Sequence, residues 1–197
     1  SNGGIIMAIN WSTESSSLQV RPAGLKRIQA VDIDTSGSAH TVTGIPSDAA
    51  EVNIHLINYS TDNNTQNLMS LRCGTGGSID TGNNYQWGCN DGSGNQQSSS
   101  YSGSAYFRCI PTVHSGASHT FTGDITLRRA THSEGVAYSG WMITSIMGDV
   151  TNSHCMASAG RWKTISALER VQIYNAGGHG YDSGGRMIVT VATGYGY

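Results

Sequence analysis

The sequence predicts an all-β fold, an antiparallel jelly-roll-like β-sandwich, and three observations carry that expectation. At least six segments alternate apolar and polar residues with a period of two, the spacing that sends successive side chains to opposite faces of a strand. Ser, Thr, Asn and 26 glycines crowd the gaps between those segments, while charged residues make up only 12% of the chain, which suits many short strands joined by exposed turns. Three prolines are the third observation. Separately, no run reaches the roughly eighteen apolar residues that a membrane-spanning helix requires. At 197 residues the chain is long enough for one sizeable sandwich and short for two domains. Residues 1–24 therefore read as an N-terminal arm with one short strand, and residues 25–197 as a single β-sandwich domain.

In chain order, the apolar run Gly4 to Ile9 predicts the short strand of the arm, and serines and Pro22 separate it from the body. Leu25 to Ile33 reads as the first strand of the sandwich. Its Asp32-Ile-Asp-Thr-Ser-Gly37 looks like the start of a calcium loop, but Thr43 stands at the twelfth position, where a bidentate glutamate is needed, so a strand running into a turn is expected. Val52, Ile54 and Leu56 give an inward face, with Glu51, Asn53 and His55 outward. Gly74 to Gly103 is almost free of apolar runs, and it sets Tyr85, Trp87 and Tyr101 among Asn, Gln, Gly and Ser. Rings with planar amides make an adaptable recognition surface; the competing reading has Tyr85 and Trp87 capping the core. Ala105 to Ile110 and His119 to Arg129 return to strand character, with Ile125 and Leu127 inward and Asp124, Thr126 and Arg128 outward.

Val136 to Met147, centred on Gly140-Trp-Met-Ile-Thr-Ser-Ile-Met, is apolar on both faces. That predicts either a strand in the middle of the sandwich or one covered by a neighbouring subunit. The chain closes with a strand pair, Val171 and Ile173 opposing Arg170 and Gln172, then Met187, Val189 and Val191 alternating with Arg186, Ile188 and Thr190. The linking loop, Asn175 to Gly185, is too long for a two-residue hairpin turn and too glycine-rich for a helix.

A resemblance rests on two stretches. The run Ile165-Ser-Ala-Leu-Glu-Arg-Val-Gln-Ile-Tyr, the loop with Tyr-Asp-Ser-Gly-Gly, and Arg-Met-Ile-Val-Thr-Val form one. Thr43-Gly-Ile-Pro-Ser-Asp, the strand Val52 to Ile57 and Leu71-Arg-Cys-Gly-Thr-Gly-Gly-Ser-Ile-Asp-Thr-Gly-Asn-Asn-Tyr85 form the other. Together, and in this order, they resemble a β-sandwich domain of tailed-bacteriophage structural proteins. The departures are Arg72 and Cys73, around the usual leucine–glycine step, and the two asparagines between Gly82 and Tyr85. The resemblance implies a tail-fibre or surface-appendage domain located in the virion. Its partners would be copies of itself, as a homotrimer, together with other virion proteins and a glycan of the host surface. Trp141 and Ile143 are expected at the subunit contact. The alternative is a stand-alone carbohydrate-binding module, monomeric and supported by the aromatic and amide-rich loops alone.

The chemistry of the remaining residues narrows the function by exclusion. A net charge of −2, with Lys26-Arg27 and Arg128-Arg129 as the densest basic spots, gives no electrostatic footprint for nucleic acid. Cys73, Cys89, Cys109 and Cys155 are spaced by 16, 20 and 46 residues, unlike any Cys-x-x-Cys zinc site. Thiols are expected for all four in a reducing cytoplasm, with Cys89 and Cys109 the best candidates if a bridge forms. His114 and His119 lack a third ligand. No nucleophile elbow, metalloprotease helix or phosphate loop is present, so no enzyme and no cofactor is expected. Because loops at one end of a sandwich converge, the Gly74–Gly103 and Asn175–Gly185 loops are expected to lie together. Tyr85, Trp87, His179 and Tyr181 would then be rings for a sugar, with Asn83, Asn84 and Asp182 as partners for its hydroxyls. The resembled family implies a competing role for Tyr181 and Asp182, that of fixing the loop.

Overall fold

The computed structural model describes residues 25–32, 38–60, 69–91, 99–110, 120–130, 140–150, 154–178, 180–181 and 184–193. The arm strand expected at residues 4–9, and His114 and His119, lie outside them. Thirteen strands are found among the described residues, with no helix: β1 (Leu25–Asp32), β2 (Ala39–Thr43), β3 (Ala49–Ser60), β4 (Met69–Thr75), β5 (Ser78–Ile79), β6 (Tyr85–Asp91), β7 (Ser99–Ser104), β8 (Phe107–Arg108), β9 (Thr120–Ala130), β10 (Gly140–Asp149), β11 (His154–Trp162), β12 (Arg170–Asn175) and β13 (Arg186–Thr193). They form two antiparallel sheets. The larger runs β1-β13-β3-β9-β10-β11-β6-β7; the smaller runs β2-β12-β4-β5, with β8 also paired to β4. The larger sheet curls over the smaller one, so that β8 touches both β6 and β11.

The inner face of the larger sheet follows from the period-two alternation. Across the strands, Val191, Val52, Leu127 and Ile143 stand in one row, and Val189, Ile54, Ile125 and Ser145 in the next. All are buried, and each fully buried aliphatic side chain contributes roughly 1.5–3 kcal/mol. From the smaller sheet, Leu71, Cys73, Val171, Ile173 and Val42 close the same core. The alternation expected for β3, β9, β12 and β13 is the one observed.

One backbone position ties the sheets together. Cys109 donates its N–H to the Met69 carbonyl at the start of β4, while its own carbonyl accepts hydroxyl bonds from Ser145 on β10 (3.0 Å) and Ser158 on β11 (3.1 Å). Two buried serines on an inward face would otherwise be costly. Here they satisfy a carbonyl that has left its own strand.

The Gly74–Gly103 stretch departs from expectation, because it carries strands. The end of β4 and β5 form a two-residue hairpin whose Gly76 and Gly77 have φ of 57° and 93°, the left-handed pair that a type I′ turn needs. β6 follows, with Tyr85, Trp87 and Cys89 inward and Gln86, Gly88 and Asn90 outward. β11 was not anticipated either. It approaches β6 so closely that a Cβ on Gly160 would lie 2.0 Å from the Gln86 carbonyl oxygen. None of the four cysteines forms a disulfide, so the candidate Cys89–Cys109 bridge is absent; Cys73, Cys89 and Cys109 are buried and Cys155 is exposed.

Candidate functional site

Asp80 organises one end of the sandwich. Its carboxylate accepts from the Gly82 N–H (2.8 Å), the Asn84 side-chain amide (2.9 Å) and the indole N–H of Trp162 (2.6 Å). Burial pushes the Asp80 carboxyl up, but the bonds from Trp162, Asn84 and Gly82 outweigh it and leave the group below the usual carboxylate range. Trp162 stacks on Tyr85 at 6.4 Å between ring centroids, and the Tyr85 hydroxyl accepts from the Cys73 N–H and donates to the Asp80 carbonyl. Beside this anchor lies an open concavity of about 460 Å³, bordered by Thr75, Ser78, Thr81, Asn84, Lys163 and Thr164. Hydroxyls and amides dominate its wall.

The rings expected to hold a sugar are placed differently. Tyr85, Trp87 and Tyr181 are buried in the core, and an aromatic face with no exposure cannot stack on a ligand. Arg108 covers the Trp87 ring at 4.9 Å. Tyr181 packs edge-on against Tyr59 at 4.5 Å and lies beside His40, whose Nδ1 is 2.6 Å from the Tyr59 hydroxyl. Tyr181 thus anchors its loop to the core. Asn83 and Asn84 are exposed, though the Asn84 amide is engaged by Asp80. His179 and Asp182 lie outside the described residues.

Residues 76–84 of the first loop do not meet the second. In the pairing of β12 with β4, Arg170 lies opposite Gly74 and Asn175 opposite Met69. Antiparallel strands therefore send residues 76–84 off one end of the smaller sheet and the loop after Asn175 off the other, about 17 Å away at strand rise. Asn83 and Asn84 therefore lie away from Tyr181, and with its rings buried the composite sugar site is corrected.

Trp141 and Ile143 are also corrected. Both are fully buried in the chain's own core, and the Trp141 indole N–H donates to the Ser166 carbonyl (3.1 Å). The outward face of β10 belongs to Met142 and Ile146, 48% and 63% exposed, with Val150 at 61% just past the strand end. The Gly140–Met147 segment already signalled a doubly apolar strand; burial assigns the outward pair the opposite parity.

The rows around these side chains define a face. Met142 lies between Arg128 on β9 and Arg161 on β11, which are paired with Glu51 and Gln86. Ile146 lies between Asp124 and Ala157, and Asp124 pairs with His55. Between the two rows run Asn53, Thr126, Thr144, Ala159 and Gly88, none longer than an asparagine. Asn53 donates to Glu51 and accepts from Thr126, and the Asn53 bond, the largest influence, helps hold the Glu51 carboxyl below its ordinary value. The result is a neutral centre of small residues flanked by two apolar side chains and fixed charges. Among the described residues no three His, Cys, Asp or Glu side chains are grouped to hold a metal. No family model, curated protein or solved structure matches this chain.

Proposed function

We propose that this chain is a structural domain of a tailed-bacteriophage virion, a tail-fibre or surface-appendage component that assembles with copies of itself and contacts the host surface. The observation that carries the reading is the apolar outward face of β10. Met142 and Ile146 stand in the open on a central strand, with Val150 just past its end, where a monomer gains nothing from them. The ordered motifs of the sequence and the sandwich architecture support the same reading, and the resembled family implies a trimer. The low net charge favours protein and glycan partners over nucleic acid. Sedimentation equilibrium on the whole chain tests it: an oligomer is expected, and a monomer at tens of micromolar would remove the assembly reading.

A second reading, a carbohydrate-binding module, draws support from the hydroxyl-lined concavity beside Asp80. Its test is a glycan array in which Thr164→Ala and Lys163→Ala are compared with the parent. Specific glycan binding that both substitutions weaken, by a protein that stays monomeric, would favour it.

A further inference from the structure

The outer face of the larger sheet is self-complementary about a single line. In β10, Met142 and Ile146 are equidistant from Thr144. In β9, Arg128 and Asp124 are equidistant from Thr126, and in β3, Glu51 and His55 from Asn53. On the far side, Gln86 and Asn90 flank Gly88 in β6. Thr144, Thr126, Asn53 and Gly88 belong to one row, joined through Ala159 of β11. A two-fold axis along that row would turn one face onto a second copy of itself.

On β3, β9 and β10 each pair then finds its complement, while on β11 Arg161, held by Gln86, lies over Ala157. Met142 meets Ile146 of the second copy, and Ile146 meets Met142. Arg128 meets Asp124, and Glu51 meets His55, so the two charge pairs within each chain stack antiparallel on those of the other. The axis itself carries Thr, Asn, Ala and Gly, which let two sheets approach to the roughly 10 Å of face-to-face packing. A random face has no reason to place unlike charge, apolar mate and small centre in register on three neighbouring strands.

We infer that this face binds a second copy of the chain through an isologous two-fold contact centred on the Thr144 row. This rests on the self-assembly reading above, and it adds the symmetry. Five strands at about 4.8 Å and seven residues at about 3.4 Å outline a patch on the order of 550 Å² per copy, with the closest approach at the central strands because the sheet curls, which sets the contact at the low end of specific interfaces. An isologous contact doubles whatever the other faces build, giving a dimer from a monomer and a hexamer from a trimer.

The test is the native mass of the full chain by light scattering, with Ile146→Lys and Ile165→Lys side by side. Ile146 is already exposed, so a lysine there leaves the fold intact while facing the arginine-flanked Met142 row of the second copy. Ile165 is another exposed apolar residue, in the loop between β11 and β12 and off the face. An even-numbered parent that Ile146→Lys halves, with association weakened at least about tenfold and no change in Ile165→Lys, is the expected result. A trimer that falls to monomer would keep self-assembly and overturn the two-fold contact. A trimer or even-numbered assembly untouched by Ile146→Lys would overturn this face as the contact, and a monomeric parent would overturn both readings.

Discussion

The inner and outer faces of the eight-stranded sheet are made by the same strands and differ in what their alternation is for. Inward, Val52, Ile54, Leu127, Ile143 and Val189 are buried against a second sheet, and two of the polar groups there, Ser145 and Ser158, are spent on one carbonyl. Outward, the strands offer Met142 and Ile146 around a row of small neutral residues, with charges fixed in opposed pairs. A side chain on the first face is constrained by volume; on the second it is constrained only by what docks there. Stability should therefore follow inner substitutions, and assembly should follow outer ones.

Trp141→Ala is the strongest way to break that division. It removes a fully buried indole and should lower unfolding free energy by about 3–5 kcal/mol in urea denaturation. If Trp141 instead lay at a subunit contact, the substitution would change mass and spare stability.

Paired serine substitutions sharpen the account of the inner face. Ser145→Ala alone leaves Ser158 donating to the Cys109 carbonyl and should cost under about 1 kcal/mol; removing both orphans a buried acceptor and should cost about 1–3 kcal/mol, more than the sum of the singles. Additive effects in thermal unfolding would show that the carbonyl does not depend on this pair.

At the anchored end, Asp80→Asn replaces an acceptor with an amide that cannot satisfy all three donors. A cost of about 1–2 kcal/mol at neutral pH is expected. Because the folded-state pKa of Asp80 is depressed, its stabilisation is present above the unfolded value, near 4, and is lost as pH falls through the folded value. The gap between parent and variant should close in acid. A gap that stays constant from pH 7 to pH 3 would exclude the carboxylate as its source.

The inner face was largely legible in the sequence, and the outer face was not, for a physical reason. Burial imposes an alternation that Val171, Ile173, Met187, Val189 and Val191 display openly, so strands built on it are readable. β6 and β11 were hidden because their outward residues are Gly88, Asn90, Ala157 and Ala159, small or polar residues that look like loop. The signal was present in Tyr85, Trp87 and Cys89, which share one parity. In β10 both parities are apolar, so sequence could flag two faces without choosing between them; only the position of the second sheet decides that Trp141 and Ile143 are core. The distance of Asn83 and Asn84 from the Asn175–Gly185 loop was likewise unreadable, since it depends on the direction in which β12 pairs with β4.

The smallest effect on stability is expected on the outer face itself. Thr144→Val should leave the unfolding free energy of the isolated chain within about 0.5 kcal/mol of the parent. A larger loss at concentrations where the chain is monomeric would mean that the outer row contributes to the fold as well as to contacts.

The most direct test uses two methionines of one strand. Met142 is 48% exposed on the outer face of β10, and Met147 is fully buried on its inner face. Sulfoxide formation at each, followed by peptide mass spectrometry under mild peroxide, should depend on protein concentration at Met142 alone. The account predicts a Met142 that is protected in the concentrated assembly and oxidised on dilution, beside a Met147 that resists at both. Equal oxidation of Met142 at every concentration would contradict a covered outer face, and ready oxidation of Met147 would contradict the packing of the inner one.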